Sequence, residues 1–325
     1  MEAVVLREFG PAENLRLELV PDPEPGQGQV RIAVEASGVH LVDTSVRSGQ
    51  PFGPGGLPEV PYIPGREVAG TVDRLGDDVD EAWLGARVAV SLGNANGGYA
   101  RFAVAPATGL LPVDPALGAP EAIAMAGTGR TAFGVLEAAR LTARDVVLVT
   151  AAAGGLGTLL VQSARRVGAR VIGLAGGPEK TALAAALGAE LAVDYRQPDW
   201  QAKVRAHLGG AGATALLDGV GGDIARGAAE LLGRGGRALF FGYSSGAPAE
   251  FTDAELAERE ITARMALGPA GGFTPENITR WAGEALAAAA SGQLKPQVET
   301  FPLAHAAVAH TRLEGRMTTG KVVLV

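Results

Sequence analysis

The chain has 325 residues, 47% of them hydrophobic, with 28 Lys and Arg against 35 Asp and Glu for a net charge of −7. That composition excludes a disordered chain, and the acidic balance argues against nucleic acid as the main partner, since phosphate binding needs a basic face. With no cysteine in the sequence there is no disulfide scaffold, thiol nucleophile or thiolate metal site.

Two domains fit this length at roughly 100–200 residues each. Residues 1–10 carry Glu2, Arg7 and Glu8 and lack the apolar core of a signal peptide. No apolar run reaches the ~18 residues of a membrane helix, so a soluble, cytoplasmic protein is expected. The first ~120 residues, a length in the usual domain range, read as β-rich. Their Val-rich runs at 30–34, 68–72 and 87–90 lie between clusters of Gly and Pro. The Pro- and Gly-rich stretch 49–64 reads as a long surface loop bordering a cleft.

From Asp145 the texture changes to alternating strands and Ala-rich helices. A strand at 146–150 precedes a helix over 155–167, and a strand at 171–174 precedes a helix over 179–187. Then come a strand at 191–194, a helix near 199–207, and strands at 215–218 and 238–241. This alternation predicts an α/β fold with a doubly wound parallel sheet. Gly168, Gly188 and Gly235 fall where left-handed helix caps are expected. The tail reads as a helix over 275–291, a strand at 298–301, a short helix over 303–313 and a strand at 321–325.

The most informative stretch is VLVTAAAGGLG, residues 147–157, where a strand meets a glycine turn and a helix opens. Ala152, Gly154 and Gly157 follow the G-x-G-x-x-G spacing, with Ala at the first position. Gly154 lets a pyrophosphate approach the backbone, Gly157 lets helix and strand pack closely, and the helix N-terminus offers unpaired N–H groups. In this setting the pattern predicts a dinucleotide site. An NAD-preferring site places a carboxylate about 20 residues on, at the end of the second strand. Here that strand ends Leu174-Ala175-Gly176-Gly177, with Lys180 and Arg196 nearby, which favours NADPH.

The order of segments resembles the medium-chain dehydrogenase/reductase superfamily, and within it the zinc-free quinone oxidoreductase (zeta-crystallin-like) branch. The matching segments are SGVHLVDTSVRSG (37–49), IPGREVAGTVDRLG (63–76), GRTAFGVL (129–136), the glycine turn, GAELAVDYR (188–196), LLDGVGG (216–222), GRALFFG (236–242) and GRMTTGKVVLV (315–325). The resemblance implies a GroES-like β-rich domain over 1–122 and 270–325, a Rossmann domain over 123–269, and the cofactor in the cleft between them. It marks Ala153, Gly154, Gly155, Leu156, Gly176, Lys180, Tyr195, Phe241, Gly242, Tyr243 and Met265 as cofactor-binding, together with Ser45, Thr131 and Lys321.

The departures are as informative. Where zinc-dependent relatives carry Cys, His and Cys ligands, this chain has His40, Arg66 and Gly127, so no metal is expected. Quinone oxidoreductases usually carry Asn at the position of His40, and often Tyr where this chain has Pro51-Phe52. His40 and Asp43 are the candidate catalytic residues. His40 has two readings, a proton or hydrogen-bond donor to a substrate carbonyl or a histidine packed at a domain interface. Asp43 either orients His40 or caps the helix that follows.

Other motifs carry less. The residues from Gly315 to Lys321 mimic a P-loop, but Val322 replaces Ser/Thr and no helix can follow. Asn277-Ile278-Thr279 is a glycosylation sequon without meaning in a cytosolic chain. His207, His305 and His310 show no metal-like grouping, and the last two are expected to be exposed on a polar helix. No nucleophile–base pair of the serine hydrolase kind is present.

The expected activity is NADPH-dependent reduction of quinones or α,β-unsaturated carbonyls by direct hydride transfer. The alternatives are an enoyl-thioester reductase, for which Arg47 is the one obvious base near the loop, and a non-catalytic NADPH-binding protein. A homodimer is expected through the alternating apolar residues of 260–267 at a sheet edge.

Overall fold

Alternating valines account for the first part of the chain. The computed structural model describes residues 1–51 and 56–325, in two units: Met1–Gly129 with Ala282–Val325, and Arg130–Trp281. Phe52, singled out above, lies outside the described residues. In the first unit β1 (Glu2–Leu6) and β2 (Leu15–Leu19) form an antiparallel ribbon. There follow β3 (Gln29–Val39), α1 (Leu41–Arg47), β4 (Glu67–Leu75), β5 (Arg87–Ser91), β6 (Phe102–Pro106), β7 (Leu111–Pro112) and α2 (Ala119–Ile123). Val30, Ile32, Val68, Val72, Val88 and Val90 meet in one core, as period-2 alternation requires. Each such buried side chain contributes about 1.5–3 kcal/mol. A π-helical turn, Ala124–Gly129, ends this part of the unit.

The second unit is the alternating one. Its elements are α3 (Arg130–Ala139), β8 (Val146–Thr150), α4 (Gly155–Arg166), β9 (Arg170–Ala175), α5 (Pro178–Ala186), β10 (Leu191–Asp194), α6 (Trp200–Leu208), β11 (Ala213–Asp218), α7 (Gly222–Ala229), β12 (Leu232–Phe240), α8 (Asp253–Glu258) and β13 (Thr262–Met265). The six strands pair in the order β10-β9-β8-β11-β12-β13, every pair parallel. Order reverses between β8 and β11, the switch point at which doubly wound sheets bind ligands. Gly168 and Gly188 follow α4 and α5 with φ of 85° and 112°, as expected of caps. Gly235 does not follow a helix. It lies inside β12 with φ of 76°, where the pairing with β11 shifts register. An extra bend in a strand needs the same left-handed freedom as a cap, and the sequence does not separate the two.

Helix α9 (Pro275–Ala290) spans the residues at which the second unit ends and the first resumes. The tail then supplies β14 (Val298–Phe301), α10 (Ala306–Glu314) and β15 (Lys321–Leu324) to the first unit. There β15 lies between β14 and β3, antiparallel to β3. The boundaries expected from sequence, 122/123 and 269/270, fall within α2 and in the turn Pro269–Gly271. No helix among the described residues is long and apolar enough to cross a membrane.

Candidate active site

Strand register brings three polar side chains together in the first unit. β3 pairs with β15 so that Val39 faces Val322, and one step further places His40 opposite Lys321. β3 pairs with β4 so that Ser37 faces Val68, and one step further places Gly38 opposite Glu67. The result is a triangle: His40 Nε2 lies 2.8 Å from Glu67 Oε1, Lys321 Nζ lies 2.9 Å from the same oxygen, and Nζ lies 3.0 Å from Nε2. Oε1 meets both groups at close range but off the ideal hydrogen-bond angle.

Glu67 and Lys321 are buried, whereas the His40 side chain keeps 30% of its exposure. Burial pushes the Glu67 carboxyl upward, but His40 and Lys321 outweigh it and hold the group far below the usual carboxylate range. Room for the carboxylate comes from two glycines. A Cβ at Gly38 would stand 1.9 Å from Oε1, and one at Gly127 would stand 1.9 Å from Oε2.

A second polar chain supports the start of α1. His40 is its N-cap residue, and its backbone N–H donates to Asp43 Oδ2 at 2.8 Å. Asp43 therefore reaches His40 through the backbone, as a cap does. The Tyr99 hydroxyl lies 3.3 Å from the same carboxylate oxygen and 3.1 Å from His310 Nε2. Burial pushes Asp43 and Tyr99 upward, and pushes the His310 imidazole down to about 3. His310 is thus neutral and fully buried, which corrects the expectation that it is exposed. Ala306, Ala309 and His310 form the inward face of α10, and the small alanines draw the helix close enough to enclose the ring. His305, at the helix start, is exposed as expected. Arg47 is buried too, bound to the Gly10 carbonyl and to Glu314, and so is unavailable as a surface base.

In the second unit the expected cofactor residues gather at the carboxyl ends of the parallel strands. Ala153, Gly154, Gly155 and Leu156 form the turn after β8 and the first turn of α4, with Gly154 as N-cap. A Cβ at Gly157 would stand 2.1 Å from the Ala151 carbonyl, so only glycine lets α4 pack there. Ala151 itself is held at φ 46°, a strained value for alanine. Gly176 follows β9 beneath Tyr195, Lys180 stands in the first turn of α5, and Arg196 covers Gly177 while paired to Asp194 at 3.1 Å. Phe241 is buried, Gly242 follows it, and Tyr243 and Met265 are exposed beyond β12 and at the end of β13. Thr131 lies in the first turn of α3. Ser45 and Lys321 belong to the first unit, Ser45 half-buried on α1 and Lys321 in the triangle with Glu67.

Asp218 was not foreseen. It is fully buried, accepts from Thr150 Oγ1 at 2.6 Å and from the Gly221 N–H at 2.9 Å, and so ties the ends of β8 and β11 together at the switch point. Burial pushes its carboxyl upward against those bonds.

Comparison with known proteins settles the family. The alcohol dehydrogenase GroES-like domain matches residues 26–115, and the zinc-binding dehydrogenase family matches residues 155–286. The 2-haloacrylate reductase of Burkholderia sp. is 33% identical over 100% of this chain and 98% of its own. The quinone oxidoreductase of Mus musculus is 31% identical over the same shares, 100% and 98%. The crystal structure of Escherichia coli quinone oxidoreductase complexed with NADPH matches with a TM-score of 0.88 at 27% identity, covering 100% of both chains. The chain belongs to the quinone oxidoreductase branch of the medium-chain dehydrogenase/reductase superfamily.

The matching family's description names zinc, and the residues present do not fit it. At the positions of the superfamily's ligands stand His40, already facing Glu67 and Lys321, Arg66, whose guanidinium donates to Asn94 at 2.7 Å, and Gly127. A catalytic zinc needs about three protein ligands, and one imidazole beside two cations does not supply them. Among the described residues no group of three or more His, Asp or Glu is placed to hold a metal.

Proposed function

We propose that this member of the branch is an NADPH-dependent reductase of quinones or α,β-unsaturated carbonyls that works by direct hydride transfer without zinc. The observation that carries the reading is the Glu67–Lys321–His40 triangle, a polar centre in which His40 takes the position of one of the superfamily's metal ligands. Such a centre suits an acceptor whose oxygen gains charge as its conjugated carbon takes hydride. When bound, NADPH supplies that hydride.

The second unit has the parts to hold the cofactor. The glycine turn and the N-terminus of α4 offer backbone N–H groups to the pyrophosphate. The end of β9 carries glycines in place of the carboxylate that would bond a ribose 2′-hydroxyl; Tyr195 stands against Gly176, Arg196 against Gly177, and Lys180 follows in the first turn of α5. That replacement supports the 2′-phosphate of NADPH over the free hydroxyl of NADH.

The enoyl-thioester reading loses the base that favoured it, because Arg47 is buried and bound to Gly10 and Glu314. Steady-state oxidation of NADPH with a panel of quinones and enones tests the proposal. Turnover on at least one class is expected. Tight NADPH binding with no turnover on any acceptor would overturn it in favour of a binding protein.

A further inference from the structure

The glycine turn after β8 has a counterpart after β11. Residues 218–222 read Asp-Gly-Val-Gly-Gly and lead into α7, as 152–157 lead into α4. We propose that Asp218 and Thr150 are positioning residues for the nicotinamide half of the cofactor. They fix the loop after β11, and through it the loop after β12, as a preformed seat for that half. This rests on the proposed NADPH preference alone, whichever acceptor is reduced.

One buried carboxylate gathers the bonds. Asp218 Oδ1 accepts from the Thr150 hydroxyl at 2.6 Å and from the Val220 N–H at 3.3 Å, and Oδ2 accepts from the Gly221 N–H at 2.9 Å. Thr150 Oγ1 in turn accepts from the Gly219 N–H at 3.1 Å. Three consecutive backbone N–H groups are thus aimed at the pair. A run of converging N–H groups is otherwise a place for a phosphate or another anion. Here the chain's own carboxylate fills it, whereas Gly154, the N-cap of α4, has no side-chain cap. The turn after β8 is therefore the one left to the pyrophosphate.

Place in the sheet decides what depends on Asp218. A doubly wound sheet takes a dinucleotide across the switch point, one mononucleotide half on each side. The end of β9 serves the adenosine half, so β11 and β12 serve the other. Backbone bonds carry the hold from one loop to the next. Ser244 N–H donates to the Gly219 carbonyl at 3.1 Å, Ser245 N–H to the Val220 carbonyl at 2.8 Å, and Gly222 N–H to the Ala247 carbonyl at 3.0 Å. Phe241 N–H donates to the Asp218 carbonyl at 2.8 Å. The fit is close as well, since a Cβ at Gly219 would stand 2.5 Å from the Phe241 ring. Phe241, Gly242 and Tyr243, expected at the cofactor, thus lie in a loop bound to the residues that Asp218 fixes. Were that loop free to take other forms, affinity would fall by the fraction of chains outside the competent one.

Titration calorimetry with two probes tests the proposal. NADPH spans both halves, whereas 2′,5′-ADP carries only the adenosine half and its phosphates. Asp218→Asn sets an amide N–H against donors already in place, and Thr150→Val removes the hydroxyl with little change of shape. Each should weaken NADPH about tenfold or more and leave 2′,5′-ADP within about twofold. Thr150→Ser keeps the hydroxyl and should bind both probes as the wild type does. Should Asp218→Asn fail to fold, the two Thr150 variants still decide. Equal weakening of both probes would overturn the inference, because the pair would then hold the sheet and not the seat. Unchanged NADPH affinity in a folded Thr150→Val would overturn it too. If the wild type binds 2′,5′-ADP no more tightly than AMP, the NADPH reading fails instead. NADH and AMP then serve as the two probes, and the same comparison decides the role of Asp218.

Discussion

The carboxylate of Glu67 fills the space that a side chain at Gly127 would need, since a Cβ there would stand 1.9 Å from Oε2. Glu67 cannot swing aside without breaking from His40 and Lys321, which hold it by contacts of 2.8 and 2.9 Å. Gly127→Ala is therefore expected to destabilise by about 1–3 kcal/mol, the usual cost of overpacking, read as a lower Tm. Gly127→Cys restores a thiol at a ligand position and is expected to bring no zinc. Elemental analysis of both the wild type and this variant should find no stoichiometric metal, with wild-type activity intact in chelator. About one zinc per chain, with activity lost on its removal, would refute this.

Lys180 is expected to distinguish the two nicotinamide cofactors. Losing a charge-assisted bond to phosphate costs about 1.5–3 kcal/mol. Lys180→Ala should weaken NADPH about tenfold or more and leave NADH nearly untouched, as measured by titration calorimetry. Equal wild-type affinity for the two cofactors would end the argument from the end of β9.

His310 makes stability depend on pH. Its imidazole is held at about 3 in the folded chain, against about 6.5 when unfolded, so the unfolded chain binds the extra proton between these values. Stability thus falls as pH drops below about 6.5, by up to about 1.4 kcal/mol per pH unit from this group. His310→Asn should show a flatter dependence of urea midpoint between pH 7 and 5. Identical slopes in the variant and the wild type would show that His310 does not bury a neutral ring.

For His40 the two acceptor classes should separate. His40→Ala is expected to lose about 10²-fold in kcat on an enone, the low end for a general acid, and less on a quinone, which needs little help. His40→Asn keeps a donor but passes no proton, so it should follow Ala on the enone and the wild type on the quinone. Full enone activity in the Asn variant would reduce the role to hydrogen bonding. Unchanged kcat in both variants, with only a lower Tm, would make His40 structural.

A homodimer is expected through β13, which ends the parallel sheet and exposes Met265. A monomeric mass by light scattering at micromolar concentration would refute it.

What was legible in the sequence was local. The turn from Thr150 to Gly157 reads directly, because a strand, a glycine spacing and a helix follow one another without a gap, and β10 and β14 fall at the expected residues. What was not legible depends on partners far along the chain. Lys321 meets His40 only because β15 lies beside β3, across 281 residues. Glu67 looked like one charge before a valine run, and nothing local says that Gly38 and Gly127 leave room for it. His310 sits on a helix with little amphipathic contrast, so its inward face shows only once Tyr99 is seen to meet it.

The place of β15 bears on how the protein is made. A chain leaving the ribosome presents Ser37–Val39, the stretch of β3 leading into His40, long before residues 322–324 exist to pair with it. Meanwhile all of Arg130–Trp281 has been synthesised. The parallel-sheet unit is thus free to fold first, while that stretch of β3 keeps unpaired backbone groups open to capture by a neighbouring nascent chain. Late arrival of β15 is then a hazard for yield, and stop codons shortly before Lys321 should send the product to aggregates rather than to a soluble, inactive form.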